Sequence, residues 1–385
     1  MSAPSVLDER AIAGRALAGD PLTSTLGRTP VAPVIAGVGW LVLTVGGDLV
    51  LTLSRGRFFS TPGYTGWWFD LTTVLQEVVV FPLLAFFYLW TPVHLLRALE
   101  ALRAEGVLEI RPDDETWLAR AFSGAWLGAR RPARWLPVAV LVIAIGTALT
   151  LWWAYGSTLS TQLWLADPGI APIKAIFWTV NTYMGAWLVL RAAIFVKFLG
   201  RLFSSGRTIH IEPLHPDGCG GLAPLARFSL RLAVFIGFVG ASFVLVERNY
   251  LFGRGLQLTW QALPVHAIAV CCLVASVVAF FAPLAAPHDA MARAKRGRLA
   301  HLSDQFASVD RAIDGPDFET LIAAAPKWQI VRAIYAEVAK FPVWPFEIRI
   351  LRAFAVAVVG QPALAVFVDI FKGELKDLAK VVLGG

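Results

Sequence analysis

Apolar residues collect in six runs, 34–53, 74–93, 136–155, 175–196, 228–246 and 263–284, each holding at most one formally charged side chain. A helix rises about 1.5 Å per residue, so some ~20 residues cross the ~30 Å hydrocarbon layer while satisfying their own backbone hydrogen bonds. The pattern predicts six transmembrane helices. A seventh run, 350–371, has the length but carries Gly360-Gln361-Pro362 at its middle, where proline withholds a backbone donor. Spanning, re-entrant and interfacial readings of it stay open.

The polar stretches between the runs divide the chain: a tail at 1–33, a membrane domain at 34–286 with excursions at 96–135 and 197–227, a helical domain at 287–342, and a C-terminal hydrophobic segment with a basic tail at 343–385. In the first excursion Val107-Leu108-Glu109-Ile110 reads as a short strand closed by Pro112-Asp113-Asp114. Leu118, Phe122 and Trp126 then recur every four positions, as on a helix lying on the inner leaflet or packed on the protein itself. In the second, Thr208-Ile209-His210-Ile211-Glu212-Pro213 alternates in the same way. The two strands are expected to pair as a small ribbon. Both excursions continue through an aspartate-containing turn to Leu-Ala-Arg with phenylalanine, ending at Ser123 and Ser229, a likeness that fits chance or a decayed repeat. The fold class expected is an all-α integral membrane protein with a β ribbon and a helical domain on its cytoplasmic side.

Composition agrees: 57% of residues are hydrophobic and 16% charged, against about 25% charged in ordinary globular chains. A soluble or disordered chain is excluded. The net charge of +7 would in a soluble protein suggest nucleic acid, but the basic residues segregate by loop. Arg10, Arg15 and Arg28, then Arg97 to Arg134, then Arg201, Arg207 and Arg227, then Arg293 to Arg298 lie on one side, and the alternate loops hold Arg55, Arg57, Lys174, Arg248 and Arg254. The excess therefore sets orientation, with the N-terminus cytoplasmic, and no nucleic-acid partner is expected. Lys372, Lys376 and Lys380 put the C-terminus on the same side. Trp67, Trp68, Trp152, Trp153, Trp178 and Trp260 fall at the opposite interface as an aromatic belt. Arginine over lysine, with spans of alanine, valine and leucine, suits a bacterial inner membrane. Three cysteines, two adjacent, make no disulfide framework.

Candidate chemistry lies in three places. Asp48, Glu77, Asn181 and His266 sit at similar depth in the outer thirds of four different runs. An ionisable group there costs about 3 kcal/mol to insert, so such residues face one another or a wet pathway, or else snorkel and pair structurally. His210, Glu212, His215, Asp217 and Cys219 form a second cluster whose donor types suit zinc. Their spacing matches no zinc module, and His215-Pro216-Asp217-Gly218 fits a type I turn, which is the preferred reading. Third, Gly218, Gly220 and Gly221 ahead of the fifth run, with Arg191 and Arg231 nearby in sequence depth, offer backbone N–H groups to an anion or lipid headgroup. Glycines required only for a tight turn explain the same residues. Arg191 is expected to snorkel.

No His-Glu-x-x-His, Gly-x-Ser-x-Gly or aspartate-rich run is present. A catalytic role is therefore the least favoured reading, confined to a metal-dependent membrane enzyme at the His210–Cys219 loop. The leading expectation is a homo-oligomeric transport protein in the lipid bilayer, a channel or transporter for an ion or small solute regulated by its cytoplasmic helices. The alternative is a membrane sensor or signalling effector working through the His210–Cys219 loop.

Overall fold

The computed structural model describes residues 31–61, 65–109, 136–158, 164–204, 209–213, 215–247, 263–313, 318–356 and 360. Seven long helices account for most of them: α1 (Ala32–Ser54), α2 (Phe81–Ala104), α3 (Leu136–Thr158), α4 (Ala171–Ser204), α5 (Ala223–Glu247), α6 (Leu263–Ile313) and α7 (Phe318–Lys340). A short helix, Leu71–Leu75, and a π-helical segment, Gln76–Val80, lead into α2. Among the described residues four stretches are long and apolar enough to cross a membrane: Ala32–Ser54, Thr72–Ala104, Ala223–Leu245 and Ala267–Ser308. The apolar part of α3, Pro137–Thr150, is shorter, and α4 is diluted by Lys174, Asn181 and Arg191. This is a helical membrane protein. Val34, Ile35, Val38 and Val42 on α1, Val142 and Ile143 on α3, and Val270, Val274 and Val278 on α6 are exposed, the apolar faces that hydrocarbon covers.

The interior is built from α2, α4, α5 and α6. Phe87 stacks on Phe235 with ring centroids 4.2 Å apart, and Trp90 lies parallel to Phe228 at 5.5 Å. On α4 the buried residues Lys174, Asn181, Met184, Trp187, Leu188, Arg191, Phe195, Phe198 and Leu202 recur every three, four or seven positions, one face of a helix. The α5–α6 contact is close because Gly240 lies where any Cβ would come within 2.9 Å of the Cys272 Cβ, and Ser276 Oγ donates across it to the Ala233 carbonyl at 2.8 Å. The N-terminal half of α1 packs likewise through Gly37, whose missing Cβ would stand 3.1 Å from the Pro82 carbonyl oxygen.

Three boundaries differ from the sequence expectation. Helix α4 starts at Ala171, four residues before its apolar run, and so takes in Lys174. Helix α6 does not stop with its apolar run but continues through Pro283 and Pro287 to Ile313, 51 residues in all. Its distal half pairs with α7 as an antiparallel hairpin: Phe306 meets Trp328 at 5.4 Å, Lys295 Nζ donates to the Phe341 carbonyl at 2.8 Å, and His288 stacks on Trp344 at 4.2 Å. Finally, the two strand-like segments meet at one isolated antiparallel bridge, Leu108 with Ile209, with His210 N donating to the Val107 carbonyl at 2.8 Å. The expected inner-leaflet helix around Leu118 to Trp126 and most of 350–371 lie outside the described residues; residues 348–356 are helical, and Phe354 stacks on Phe280 at 4.3 Å.

Candidate functional site

At one end of the bundle, the end expected to face outward, three buried charges come together. Asp48 projects from the last turns of α1, Glu77 from the π-helical segment, and Lys174 from the first turn of α4. Asp48 and Glu77 are fully buried and Lys174 is 1% exposed. Lys174 Nζ donates to Asp48 Oδ2 at 2.7 Å and to Glu77 Oε1. The other Glu77 oxygen, Oε2, accepts the Trp67 indole N–H at 3.0 Å, whereas Asp48 Oδ1 is buried and accepts nothing. The ammonium also stands 5.3 Å above the Trp164 ring and 5.6 Å from that of Phe177, faces that favour a cation. The wide turn of a π-helix is a recurrent feature of functional sites, and here Gln76, Glu77 and Val80 within it are buried together.

The outer loops hold this arrangement. Asp70 caps the short helix, accepting from Thr73 N at 3.2 Å and Thr73 Oγ1 at 2.7 Å, and its Oδ2 also accepts the Trp164 indole N–H at 3.1 Å, tying the two outer loops together. Residues 57–58 and 67–68 run side by side through Trp67 N to the Arg57 carbonyl and Trp68 N to the Phe58 carbonyl, a closeness that requires Gly66, where a Cβ would lie 2.4 Å from the Phe59 carbonyl carbon. Arg57 and Asp167 pair at 3.1 Å. The backbone N–H of Gly169 is the main cause holding the Asp167 carboxyl below its ordinary value, with Arg57 and Arg55 adding to it against burial.

Two turns below Lys174 on the same face, Asn181 Oδ1 accepts the Trp40 indole N–H at 3.0 Å, and its Nδ2 is buried without a partner. Gln76, Thr147, Trp178, Asn181, Phe235 and Cys272 help line a cavity of about 290 Å3 between α2, α3, α4, α5 and α6. Deeper still, Arg191 is buried, not snorkelled, because it has work on α2. Pro92 has no N–H for the carbonyl of Tyr88 four residues back; Arg191 Nη1 donates to that carbonyl instead, with the guanidinium 4.5 Å over the Tyr88 ring.

At the opposite end the His210–Cys219 loop is a turn organised by Asp217. Gly218 N donates to the His215 carbonyl at 3.0 Å, closing the expected turn. Gly218, Gly220 and Gly221 all adopt positive φ (64°, 65° and 81°), curling their N–H groups into a nest. The anion in that nest is internal: Asp217 Oδ1 accepts from Cys219 N at 2.8 Å and Gly221 N at 2.9 Å, and Oδ2 from Ala223 N at 3.3 Å at the start of α5. His215 Nδ1 lies 2.8 Å from Asp217 and its Nε2 3.3 Å from Glu105. Burial opposes the Asp217 charge, but the N–H groups of Gly221 and Cys219 with His215 and Ala223 outweigh it and hold the carboxyl below its ordinary value. Burial above all, then Asp217 and Glu347 against the pull of Arg227, pushes the Cys219 thiol up to about 11, far from a ready thiolate. His210 and Glu212 are on the solvated side, and Arg231 is exposed on α5. Among the described residues no three His, Cys, Asp or Glu side chains gather to hold a metal ion.

Thus Asp48 and Glu77 are brought together, Asn181 lies on the same face of α4 as their partner, and the backbone of His266 is in α6 with its side chain outside the described set. Sequence reasoning passed over Lys174, Trp67 and Trp164. The available signal was a lone cation at the outer side, seven residues and so two helical turns from Asn181. No family model, no curated protein and no solved structure matches the chain, so the chemistry of this site rests on its own geometry.

Proposed function

We propose that this protein is a polytopic transport protein, a channel or transporter that moves an ion or small solute past the layer formed by Asp48, Glu77 and Lys174. The observation that carries the reading is three buried charges on separate elements with one carboxylate in excess. Membrane helices retain such groups at a cost of about 3 kcal/mol each where a path or a proton relay uses them. A cavity lined by Asn181 and by Gln76, the chain neighbour of Glu77, supports the same reading. In this proposal α1 to α6 are six spans, the N-terminus is cytoplasmic, the membrane is a bacterial inner membrane, and the protein works as a homo-oligomer. The Leu108–Ile209 bridge grows into a short ribbon on the cytoplasmic side, where the α6–α7 hairpin regulates passage.

The test is flux into liposomes reconstituted with the full chain. Asp48→Asn and Glu77→Gln are expected to lose most of the flux while their unfolding temperatures stay near that of the parent. Unchanged flux in both well-folded variants would overturn the transport role and favour the sensor reading.

A further inference from the structure

The charge count at the outer layer does not close. Asp48 and Glu77 contribute two carboxylates and Lys174 one ammonium, all within 1% of full burial. Among the described residues, other charged groups from the elements packed around them do not supply the difference. Asp70 adds a further carboxylate engaged with Thr73 and Trp164, Arg57 is matched to Asp167, and Arg55 lies at the rim with its guanidinium against Gly169. Among the described residues the buried triad is therefore left with two carboxylates on one ammonium. An uncompensated charge out of water is among the most expensive things a fold can carry, so the layer is incomplete by one positive charge.

The geometry also shows where that charge belongs. Of the four carboxylate oxygens in the triad, two face Lys174 and one accepts from Trp67; Asp48 Oδ1 alone is buried with no donor. The Asp48 and Glu77 carboxyls converge on a single ammonium, Lys174 Nζ, which brings them close to each other. Two carboxyls held so close share a proton readily, since both cannot comfortably be ionised.

We propose that Asp48 and Glu77 together bind one exchangeable proton, held between their carboxyls beside Lys174, and that this proton is the species coupled to transport. In the step itself hydronium gives its proton to the carboxylate pair and leaves as water, and the reverse occurs on release. The triad then alternates between neutral and singly negative, and Lys174 keeps its three hydrogens in both states. With the proton gone, the ammonium is pulled by two full carboxylates. With it present, the pull falls on one. This inference rests on the transport reading for its coupling but not for its binding.

Infrared difference spectroscopy on proteoliposomes separates the two. A protonated-carboxyl C=O band should appear on acidification and vanish on alkalinisation, shift in D2O, and amount to one carboxyl per chain. It should be absent from Asp48→Asn and from Glu77→Gln; if one variant does not fold, the other suffices. Absence of the band in the parent, a band equal in both variants, or a band that never responds to pH would each overturn the proposal. So would a response to Na+ at fixed pH without a response to pH, which would put a metal ion in the same place. A titrating band in a protein with no flux would keep the proton site and discard transport. Flux that survives without the band would do the reverse.

Discussion

Lys174 is the residue on which the outer layer turns. Removing one partner of a buried ion pair leaves the rest unpaired and costs about 3–5 kcal/mol, so Lys174→Met is expected to destabilise the protein by that amount in thermal unfolding. Adding Asp48→Asn to it should recover part of the loss, because one stranded charge is gone. At the opposite end of the bundle the sign of a pH effect follows from Asp217. Its carboxyl titrates below the ordinary 3.8 in the native loop and near that value in the unfolded chain. Its contribution is therefore complete above the ordinary value and is lost as pH falls through the native one. The unfolding temperature should drop on acidification below about pH 4, and Asp217→Asn should flatten that drop while costing about 2 kcal/mol at neutral pH through lost backbone bonds. The acids of the triad were legible in the sequence because a carboxylate inside an apolar run has no other business there. Lys174 was not, because a cation just outside such a run counts as loop until the helix start is known. Trp67 read as a belt tryptophan for a similar reason: an indole shows its apolar body in sequence, whereas its N–H acquires meaning only when Glu77 lies 3.0 Å away.

Between helices, the gap at Pro92 and the cation at Arg191 form one unit on two elements. Arg191→Met strands the Tyr88 carbonyl, at a cost of about 1–3 kcal/mol. Pro92→Ala supplies the missing N–H, so the double variant should be more stable than the sum of the two single changes, with a coupling of about 1–2 kcal/mol in a thermal-unfolding cycle. Strict additivity would show that Arg191 is held for its ring contacts alone. Apolar periodicity revealed the helices well, since each run carries its own signal. Where they end was less visible: proline at 283 and 287 reads as a stop, yet the helix runs through both to Ile313. The strand pairing was legible in part, since Leu108 and Ile209 meet in an antiparallel bridge.

Across the whole molecule the asymmetry of basic residues sets the expected orientation, and a chemical label can read it. In a background without Cys219, Cys271 and Cys272, a cysteine at Ser60 should react with an impermeant maleimide on intact cells, as should one at Leu256. Protection of both until lysis would reverse the topology. The molecule also has a mechanical property that follows from α6 being one helix. It packs along α5, where Ser276 bonds to Ala233 and Gly240 admits Cys272. The same helix carries Ile268 in the cavity wall and, about 57 Å further along its axis, Phe306 in the hairpin. A load placed on the hairpin is thus borne by the helix that walls the cavity.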